Sequence, residues 1–558
     1  MSMAGMTDET LQMAQDALRG GSSNVQDYRG LTFRREIEAA KAAGVTTGLN
    51  YLWYDLSPLV GHAYPITDML IRYIPRTKGD GGTATHWQMF TGVNTTNVPF
   101  GVPEGRRNAA LSFQTKYYTA PYQHYASESF TTFQAQYGSK NLSPDGRAAQ
   151  TLATLNNSRI QEELYMLGGN RSILLGQGAT PTIADVGTGG AIASGATVYV
   201  GVVPLTLIGF NVLGGADGVL PAATTVLPLV SRTSPFQTVA DSVGGYMGKV
   251  SALANITVAA DGNNTHSVTA STTPVQGAAG YLWFVGASSG AGCVAYSVTS
   301  VANTVITAGA GGAGNTGSNA TDLQTDYSSD SAAGGNATTF TGDGLFSLIF
   351  GAGQGSTGGV NGLAGSADTA SGAYVSVAAN GATLTADGAG GINEIDAMLL
   401  DRFIKFKLGI NKLWVGAKMM LDFKKLVVGG GAAPLVRLNL DLENMDKVAS
   451  GAASGGMVIG WYMNPFGMSI GNPNSGKMIP IYCHPFLPNG VILGTTEKLP
   501  YNLPNNAPLL EIETLQEWYQ VDWPVTQLQW ESGLYLDSVL KMRYGPAFCG
   551  LMNLSNLA

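Results

Sequence analysis

The stretch Ser143-Pro-Asp-Gly-Arg-Ala-Ala-Gln-Thr-Leu-Ala-Thr-Leu-Asn-Asn-Ser-Arg-Ile-Gln-Glu-Glu-Leu-Tyr-Met-Leu-Gly-Gly169 predicts one long helix, around which the rest of the chain is arranged. Ser143 is a good N-cap, and Pro144 suits the first helical position, where its missing N–H costs nothing. Apolar residues recur at helical spacing at Ala148, Leu152, Leu155, Ile160, Leu164 and Leu167. Gly168, Gly169 and Asn170 are expected to end the helix in a left-handed C-cap. At 1.5 Å per residue this helix would be roughly 35–40 Å long.

The composition limits the classes of protein that this chain can be. Its 558 residues are enough for several domains, only 12% are charged, and the net charge is −8. That balance argues against non-specific phosphate binding by the whole chain, because such binding depends on Lys and Arg. We find no apolar run typical of a secretion signal in the first 20 residues, and no stretch long enough to span a membrane. The three cysteines, Cys293, Cys483 and Cys549, are far apart, and we expect them to be reduced and buried.

Upstream of the long helix, the chain is typical of an arm followed by extended structure. Two short helices are expected at Thr7–Arg19 and Thr32–Ala43. The aromatic-rich stretch from Asn50 to Pro75, the Gly-rich tip that ends at Gly82 and the return at Thr83–Thr91 predict a long β-hairpin. More strand structure is expected from Ala109 to Phe133. A hairpin is not stable alone in water, so we expect this one to lie on a neighbouring surface.

A sharp change in composition follows the long helix. No Glu occurs between Glu163 and Glu394, and no Lys or Arg occurs between Lys249 and Arg402. Scarce helix formers and frequent β-branched residues favour strands and loops only. A β-sandwich is expected at about 181–308, with strands at Ala196–Val203, Ser251–Val258, His266–Thr272, Gly280–Gly286, Ala295–Ser300 and Thr304–Ala308. The approach to its most buried strand resembles that in immunoglobulin-like or fibronectin-like modules. Residues 309–391 are predicted to be a Gly/Ser/Thr-rich loop or an excursion of the following domain.

Charge and helical periodicity return at Ile392. The pattern predicts a helix that ends at Gly409, a buried strand at Lys412–Gly416 and a second helix at Ala417–Lys425, which together form an α/β unit. Further strands are expected at Val458–Met468, Lys477–Ile481, Val491–Gly494, Glu517–Trp523, Leu528–Ser532 and Leu540–Arg543. The fold class is therefore α+β.

The order of these parts resembles a known family. The chain begins with an arm and an aromatic hairpin, followed by a long helix ending in Gly-Gly-Asn and then by a helix–strand–helix unit. Two stretches come after these parts: Ile481-Tyr-Cys-His-Pro-Phe-Leu-Pro-Asn-Gly-Val-Ile-Leu-Gly494 and, near the end, Leu540-Lys-Met-Arg-Tyr-Gly-Pro-Ala-Phe-Cys-Gly-Leu-Met-Asn553. The chain resembles a major capsid protein of a tailed bacteriophage with the HK97-type fold. The resemblance implies an N-terminal arm at 1–63, an extended loop at 64–113 and a peripheral domain with a spine helix at 114–180. It further implies an inserted immunoglobulin-like β-sandwich at 181–308, the loop or axial-domain excursion at 309–391, and axial and peripheral domains at 392–558.

The same resemblance implies what the protein does. It would self-assemble through pentamers and hexamers into an icosahedral phage head that encloses double-stranded DNA, as a virion component assembled in the host cytoplasm. Scaffolding, portal and decoration proteins would be its partners, and no membrane would take part. The insertion, whose only basic residues are Arg232 and Lys249, suits the outside of such a shell, and we expect assembly to survive its deletion. An encapsulin-like shell protein, and a surface adhesin or glycan-binding protein built on the sandwich, are the alternatives.

No catalytic, cofactor or metal site is expected. The five histidines have no metal-ligand spacing, and no nucleophile or phosphate-binding motif occurs. A calcium loop at Asp322, Asp326 and Asp330 is disfavoured, because no bidentate Glu follows. Four basic residues around the hairpin are either solvated charges or contacts with acidic groups of an adjacent subunit; they are Arg76, Lys78, Arg106 and Arg107. Lys78 could also form an isopeptide cross-link, as in one member of the family, although no feature of the sequence requires it.

Overall fold

The computed structural model describes residues 69–94, 104–107, 112–139, 146–171, 173–214, 229–233, 240–244, 246–288, 293–308, 315–319, 324–329, 342–351, 373–379, 382–387, 391–406, 408–429, 460–464, 466, 478–497, 508–525 and 528–557. The two predicted N-terminal helices lie outside these residues. So does the predicted cap at Ser143 and Pro144.

The helices of the described residues include the long helix predicted from the sequence. They are α1 (Leu70–Tyr73), α2 (Phe133–Ser139), α3 (Gly146–Gly168), α4 (Leu207–Val212), α5 (Leu345–Phe350), α6 (Asn393–Phe406) and α7 (Ala417–Gly429), with a 3₁₀ turn at Gly545–Ala547. The long helix is confirmed from Gly146 onward as α3. The expectation that the region after it holds only strands and loops is wrong, because α4 and α5 lie there. Both helices are short and largely buried, so they show no amphipathic period that a sequence pattern could detect.

The end of α3 corrects a second expectation. Neither Gly168 nor Gly169 has a positive φ, so the helix does not end in a left-handed cap. These glycines instead allow close packing: a Cβ at Gly168 would crowd the side chain of Leu207, and one at Gly169 would overlap the carbonyl oxygen of Gly342. The backbone N–H of Gly344, at the start of α5, donates to the carbonyl of Gly169 over 2.8 Å. The absence of side chains thus lets α4 and α5 pack against the end of α3.

The strands of the described residues form six sheets. The strands are β1 (Arg76–Lys78), β2 (Ala84–Asn94), β3 (Ser112–Pro121), β4 (Gln123–Thr132), β5 (Thr182–Val186), β6 (Thr197–Leu205), β7 (Leu229–Thr233), β8 (Ala240–Gly244), β9 (Ala254–Thr257), β10 (Ser267–Ser271), β11 (Gly280–Gly286), β12 (Cys293–Thr299), β13 (Asn303–Ile306), β14 (Asn315–Asn319), β15 (Tyr374–Val377), β16 (Lys412–Val415), β17 (Trp461–Met463), β18 (Met478–Cys483), β19 (Ile492–Thr495), β20 (Leu510–Asp522), β21 (Gln529–Met542) and β22 (Cys549–Met552). The six strands predicted between residues 196 and 308 are all present.

The hairpin predicted around the Gly-rich tip at Gly82 is wrong in its pairing. The strand before the tip, β1, pairs in parallel with β20, with Arg76 opposite Ile512. The strand after it, β2, pairs with β3 instead, from Ala84 opposite Pro121 to Asn94 opposite Ser112. A long hairpin therefore exists, but it lies one strand further along the chain. It forms a two-stranded sheet with no third strand among the described residues.

Two sheets share a core in the region predicted to be a sandwich. One has the strand order β13-β10-β5 and the other β14-β12-β11-β6-β9, and all their pairings are antiparallel. A single apolar cluster contains residues of both sheets, including Val268 of β10 and Trp283 of β11. The arrangement is that of two sheets packed face to face.

The central strand of the five-stranded sheet, β11, is buried on both of its faces. Tyr281 and Trp283 of β11 belong to the cluster between the sheets, whereas Leu282 and Phe284 belong to the main apolar cluster of the chain, together with Phe350 of α5. Hydrogen bonds add to this attachment: the amide of Ala302 donates to Asn553 Oδ1, and Asn211 Nδ2 donates to the carbonyl of Phe486. The two-sheet region is therefore packed against the rest of the fold through β6, β11 and β12.

The C-terminal part contains the predicted helix–strand–helix unit as α6, β16 and α7. Its sheet has the order β15-β22-β19-β16-β18-β17, in which β16 is parallel to β18 and antiparallel to β19. Strand β15, from the stretch described as loop or excursion, joins this sheet in parallel with β22. A remaining sheet, β1-β20-β21-β4, combines strands from both ends of the chain, and β7 pairs with β8. The two strands predicted between 528 and 543 are one strand, β21.

The chain divides into two compact units. The smaller includes residues 129–152 and 523–531, as far as they are described, and the larger includes most of the remaining structure. In the smaller unit, the rings of Phe133 and Trp530 lie 5.3 Å apart, and the guanidinium of Arg147 lies 5.0 Å from the Trp530 ring. The amide of Phe133 donates to the carbonyl of Leu528.

Candidate assembly site

The long helix α3 buries two adjacent carboxylates in the larger unit. Glu162 and Glu163 are each at most 1% exposed. Such groups almost never lie inside a protein unless they are paired. Their partners come from distant parts of the sequence, so α3 is attached to the fold by charge as well as by apolar packing.

Glu163 links three elements. Its Oε1 accepts from the amide of Leu70 over 2.5 Å and lies 2.7 Å from His484 Nε2, and its Oε2 accepts from the amide of Ile71 over 3.0 Å. The other ring nitrogen of His484 lies 3.2 Å from the amide of Phe486, which can only donate. His484 is therefore the neutral tautomer with its proton on Nε2, and it donates that proton to Glu163. One carboxylate thus joins α3, α1 and the turn after β18.

Glu162 pairs with the first of the four predicted basic residues. The Arg76 guanidinium donates to Glu162 Oε1 over 2.5 Å. Burial raises the pKa of Glu162, and Arg76 opposes that shift by favouring the charged carboxylate. Arg76 is therefore engaged within its own chain, which restricts its availability to a neighbouring subunit.

The other predicted contact residues are exposed. Lys78 lies at the end of β1, and Arg106 and Arg107 lie in a short turn within residues 104–107. Their role in contacts between subunits stays a prediction.

A second buried charge cluster, which we name the root cluster, lies where the β2–β3 hairpin joins the body. Glu513 on β20 accepts from the hydroxyls of Thr85 and Tyr122, and it pairs with Lys541 on β21. The cluster consists of Thr85, Trp87, Tyr122, Glu511, Glu513, Lys541 and Arg543. Sequence analysis missed it because its members come from distant parts of the sequence. The local signs of it were two charged–apolar–charged triplets, Glu511-Ile-Glu513 and Lys541-Met-Arg543.

The smaller unit presents apolar side chains to solvent. Tyr137 is 75% exposed and Leu528 is 79% exposed, and Phe130, Leu152, Trp523 and Val525 are also exposed. A stable monomer rarely exposes several large apolar side chains within one small unit. This surface, which we name the apolar tip, has the chemistry of an interaction site.

The described residues contain no group of three or more His, Cys, Asp or Glu that could hold a metal ion. Asp326, from the disfavoured calcium loop, accepts hydrogen bonds from Gly176 and Ser328, and the other two aspartates lie outside the described residues. Cys293 and Cys549 are buried, as expected, but Cys483 is exposed. Among the helices that can be described, none is both long and apolar enough to cross a membrane.

Comparisons with known proteins return capsid structures at low similarity. A chain from the capsid of a native GTA particle computed with C5 symmetry has a TM-score of 0.35 and 6% identity, over 90% of this chain and 100% of that one. The capsid of the Myoviridae phage XM1 has a TM-score of 0.35 and 7% identity, over 88% and 94%. A chain of the satellite phage P4 procapsid with its size determination (Sid) protein has a TM-score of 0.29 and 8% identity, over 99% and 98%. Superpositions this loose do not establish a common fold.

No protein-family model matches the chain, and no curated protein matches it either.

Proposed function

We propose that this chain is a major capsid protein that self-assembles, through pentamers and hexamers, into an icosahedral phage head around double-stranded DNA. The β2–β3 hairpin is the observation that carries the proposal. It is a two-stranded ribbon with no third strand among the described residues, and such a ribbon is at best marginal alone. A neighbouring copy of the chain would supply the surface that stabilises it.

The apolar tip supports the same proposal. Apolar side chains concentrated on one exposed unit are typical of surfaces that become buried on association. Closed symmetric arrangements of identical chains are the commonest way in which a soluble protein satisfies such surfaces. Lys78, Arg106 and Arg107 are the basic residues that we propose to contact acidic groups of an adjacent subunit.

The domain assignment is part of the proposal. Residues 1–63 form the arm, 64–113 the extended loop, 114–180 the peripheral domain with α3 as its spine, and 392–558 the axial and peripheral domains. Residues 309–391 contribute to the axial domain, a proposal supported by the place of β15 in the six-stranded sheet.

An immunoglobulin-like module at 181–308 is proposed on one specific contact. The hydroxyl of Tyr281, at the start of β11, accepts from the amide of Val275 six residues upstream over 2.8 Å. A tyrosine at the start of a central strand that bonds back to the preceding corner is a hallmark of immunoglobulin-like sandwiches. The position of β11 between β12 and β6, and of β10 beside β5, supports the same module.

The partners follow from the proposed role. A scaffolding protein would guide assembly, a portal would admit DNA, and decoration proteins would bind outside. The finished chain would be located in the virion after assembly in the host cytoplasm. DNA would be enclosed without sequence specificity.

Negative-stain electron microscopy and size-exclusion chromatography of the purified chain test the proposal. We expect closed shells, or rings of five and six, alone or with a scaffolding protein. A monodisperse monomer under both conditions would contradict it and favour the adhesin or glycan-binding alternative. Shells that enclose a protein cargo and exclude DNA would instead favour the encapsulin-like alternative.

A surface variant distinguishes specific association from aggregation. Leu528→Ser in the apolar tip should abolish shells while the unfolding temperature of the subunit stays unchanged, because the side chain is exposed. Val305→Ser, at an exposed apolar position of β13 (54% exposed), is the matched control and should assemble normally.

A further inference from the structure

The two strands of the long hairpin leave the body from opposite edges of one sheet. The order of that sheet is β1-β20-β21-β4. Strand β2 follows β1 after a short turn, and strand β3 leads directly through Tyr122 into β4. The hairpin is thus attached at both outer strands, and the two central strands, β20 and β21, lie between its attachments.

One carboxylate on a central strand holds both attachments. Glu513 Oε2 accepts from the Thr85 hydroxyl over 2.9 Å, and Glu513 Oε1 accepts from the Tyr122 hydroxyl over 2.5 Å. Thr85 is the second residue of β2, and Tyr122 directly follows β3. Each oxygen of the carboxylate is therefore bonded to a different strand of the hairpin.

The neighbouring central strand keeps this carboxylate charged. Lys541 Nζ on β21 lies 2.7 Å from Glu513 Oε2. Burial alone would raise the pKa of Glu513, but the hydrogen bonds from Lys541, Tyr122 and Thr85 lower it below its usual value. Burial and the bond to Glu513 raise the pKa of Tyr122, so its hydroxyl remains a donor. The contacts are charge-assisted, and such hydrogen bonds are about twice as strong as neutral ones.

The surroundings leave little freedom for this arrangement. Lys541 also lies 3.4 Å from Glu511 and 5.4 Å from the centre of the Trp87 ring on β2. Arg543 pairs with Glu511 over 2.5 Å. A Cβ at Gly79, in the turn between β1 and β2, would overlap the Tyr122 hydroxyl. Side chains of the root cluster are thus packed from several directions, and Glu513 itself is 8% exposed.

We infer that Glu513 is a positioning residue for assembly: it holds both strands of the β2–β3 hairpin at their root and so sets the direction in which the hairpin reaches a second copy of the chain. This inference rests on the proposed function. Ten residues at about 3.3 Å each make the hairpin about 33 Å long, so a tilt of only about 10° at the root moves its far end by roughly 6 Å. A displacement of that size is larger than a side-chain contact tolerates.

The test removes both hairpin donors and leaves the central ion pair intact. The double variant Thr85→Val/Tyr122→Phe preserves the shape of both side chains and the contact between Glu513 and Lys541. We expect its yield of closed shells to fall by about tenfold or more, since ~1.4 kcal/mol lost at a contact lowers its association constant tenfold. Hydrogen exchange of the β2 and β3 amides should become faster than in the wild type.

The matched control is Thr495→Val/Tyr462→Phe. Thr495 accepts from Trp414 Nε1, and Tyr462 donates to Asp396, so this variant also removes one threonine and one tyrosine hydroxyl from buried hydrogen bonds, but away from the hairpin. We expect it to lose thermal stability and still to form shells. A merely structural role for the root cluster would make the two double variants behave alike.

The outcomes separate this inference from the proposed function. Wild-type protein that forms no shells contradicts the proposed function, and the inference with it. Wild-type shells together with equally abundant shells of Thr85→Val/Tyr122→Phe overturn the inference alone. Loss of shells in this variant but not in the control supports both.

Discussion

Asn553 shows how one residue can join separate parts of the fold. Its φ is 61°, a left-handed conformation that Asn tolerates better than most residues. Its Oδ1 accepts from the amide of Ala302, and its Nδ2 donates to the carbonyl of Ala378, both over 2.8 Å. A single amide thus connects the end of β22 to the two-sheet region and to the end of β15.

We predict that Asn553→Ala lowers the free energy of unfolding by about 2–4 kcal/mol, from two lost hydrogen bonds and a strained backbone. Asn553→Gly loses the same bonds without strain, so it should cost about 1 kcal/mol less. Denaturant unfolding of the unassembled subunit measures both. Equal losses in the two variants would show that backbone strain at position 553 does not affect the free energy of unfolding.

His266 is a buried histidine held by two carboxylates. Its Nδ1 lies 2.9 Å from Asp185 and its Nε2 lies 2.9 Å from Asp261. Hydrogen bonds to Asp261, and then to Asp185, raise its pKa, so the doubly protonated ring is favoured. The amide of Ala259, followed by His266, lowers the pKa of Asp185, and His266 lowers that of Asp261. The triad joins β5 and the loop before β10.

The directions of these shifts fix the pH window. The raised pKa of His266 stabilises the folded state at pH values below the usual histidine pKa of about 6.5, and this stabilisation is lost as pH rises through the folded pKa. The lowered aspartate pKa values stabilise the folded state at pH values above about 3.8, and this stabilisation is lost as pH falls. We therefore predict that His266→Gln lowers the Tm most between about pH 4 and 6.5, and less as pH rises further. Thermal unfolding across this range measures the difference. His86→Gln, at an exposed position, is the control, and a Tm difference that does not vary with pH would contradict the prediction.

At the scale of elements, periodicity predicted those whose packing is regular along their own length. Helices α3 and α6 repeat their buried positions at helical spacing, and β9 alternates, whereas β11 is buried throughout and is visible in the sequence as a continuous apolar run. The sequence analysis placed these elements correctly. Helix α5, whose six residues are all buried, has no such contrast and was not predicted as a helix. The pairing of β1 was also missed, because a strand pattern shows which side is buried but not which strand is its neighbour.

The hydrogen bonds of Glu163 that attach α3 to the fold are expected to contribute strongly to the free energy of unfolding. Glu163→Ala would leave two backbone amides and His484 Nε2 without their buried acceptor, so we predict a loss of roughly 3 kcal/mol or more in the free energy of unfolding. Arg159→Ala, on the exposed side of the same helix, is the control and should cost under about 0.5 kcal/mol. Similar losses in the two variants would contradict an anchoring role for Glu163.

For the whole molecule, the packing of the five-stranded sheet against the main apolar cluster changes the expected effect of deleting residues 181–308. The sequence analysis expected assembly to survive removal of residues 181–308. The structure gives a reason to revise this expectation, because the removed segment includes Leu282 and Phe284, which belong to the main apolar cluster. Residues of this region therefore share an apolar cluster with the rest of the larger unit.

We now predict that the deletion yields insoluble or unfolded protein rather than shells. Exchanging only the exposed residues Asn263 and Asn264 for Gly-Ser, with Asp261 and His266 kept, should leave shells intact, because both side chains are open to solvent. Solubility, circular dichroism and negative-stain images compare the two variants. Well-formed shells from the deletion variant would show that the shared core is dispensable.

The sequence by itself determined the long helix, the six strands of the two-sheet region and the helix–strand–helix unit. Each of these is visible locally, either because apolar residues recur with the period of the element or, for β11, because they form a continuous run. Only the tertiary structure decided which strands pair, as in the bond between Thr514 and Thr77 across 437 positions, and which partners neutralise the buried carboxylates of α3 and the root cluster. Those choices depend on groups brought together from opposite ends of the chain, and no local spacing records them.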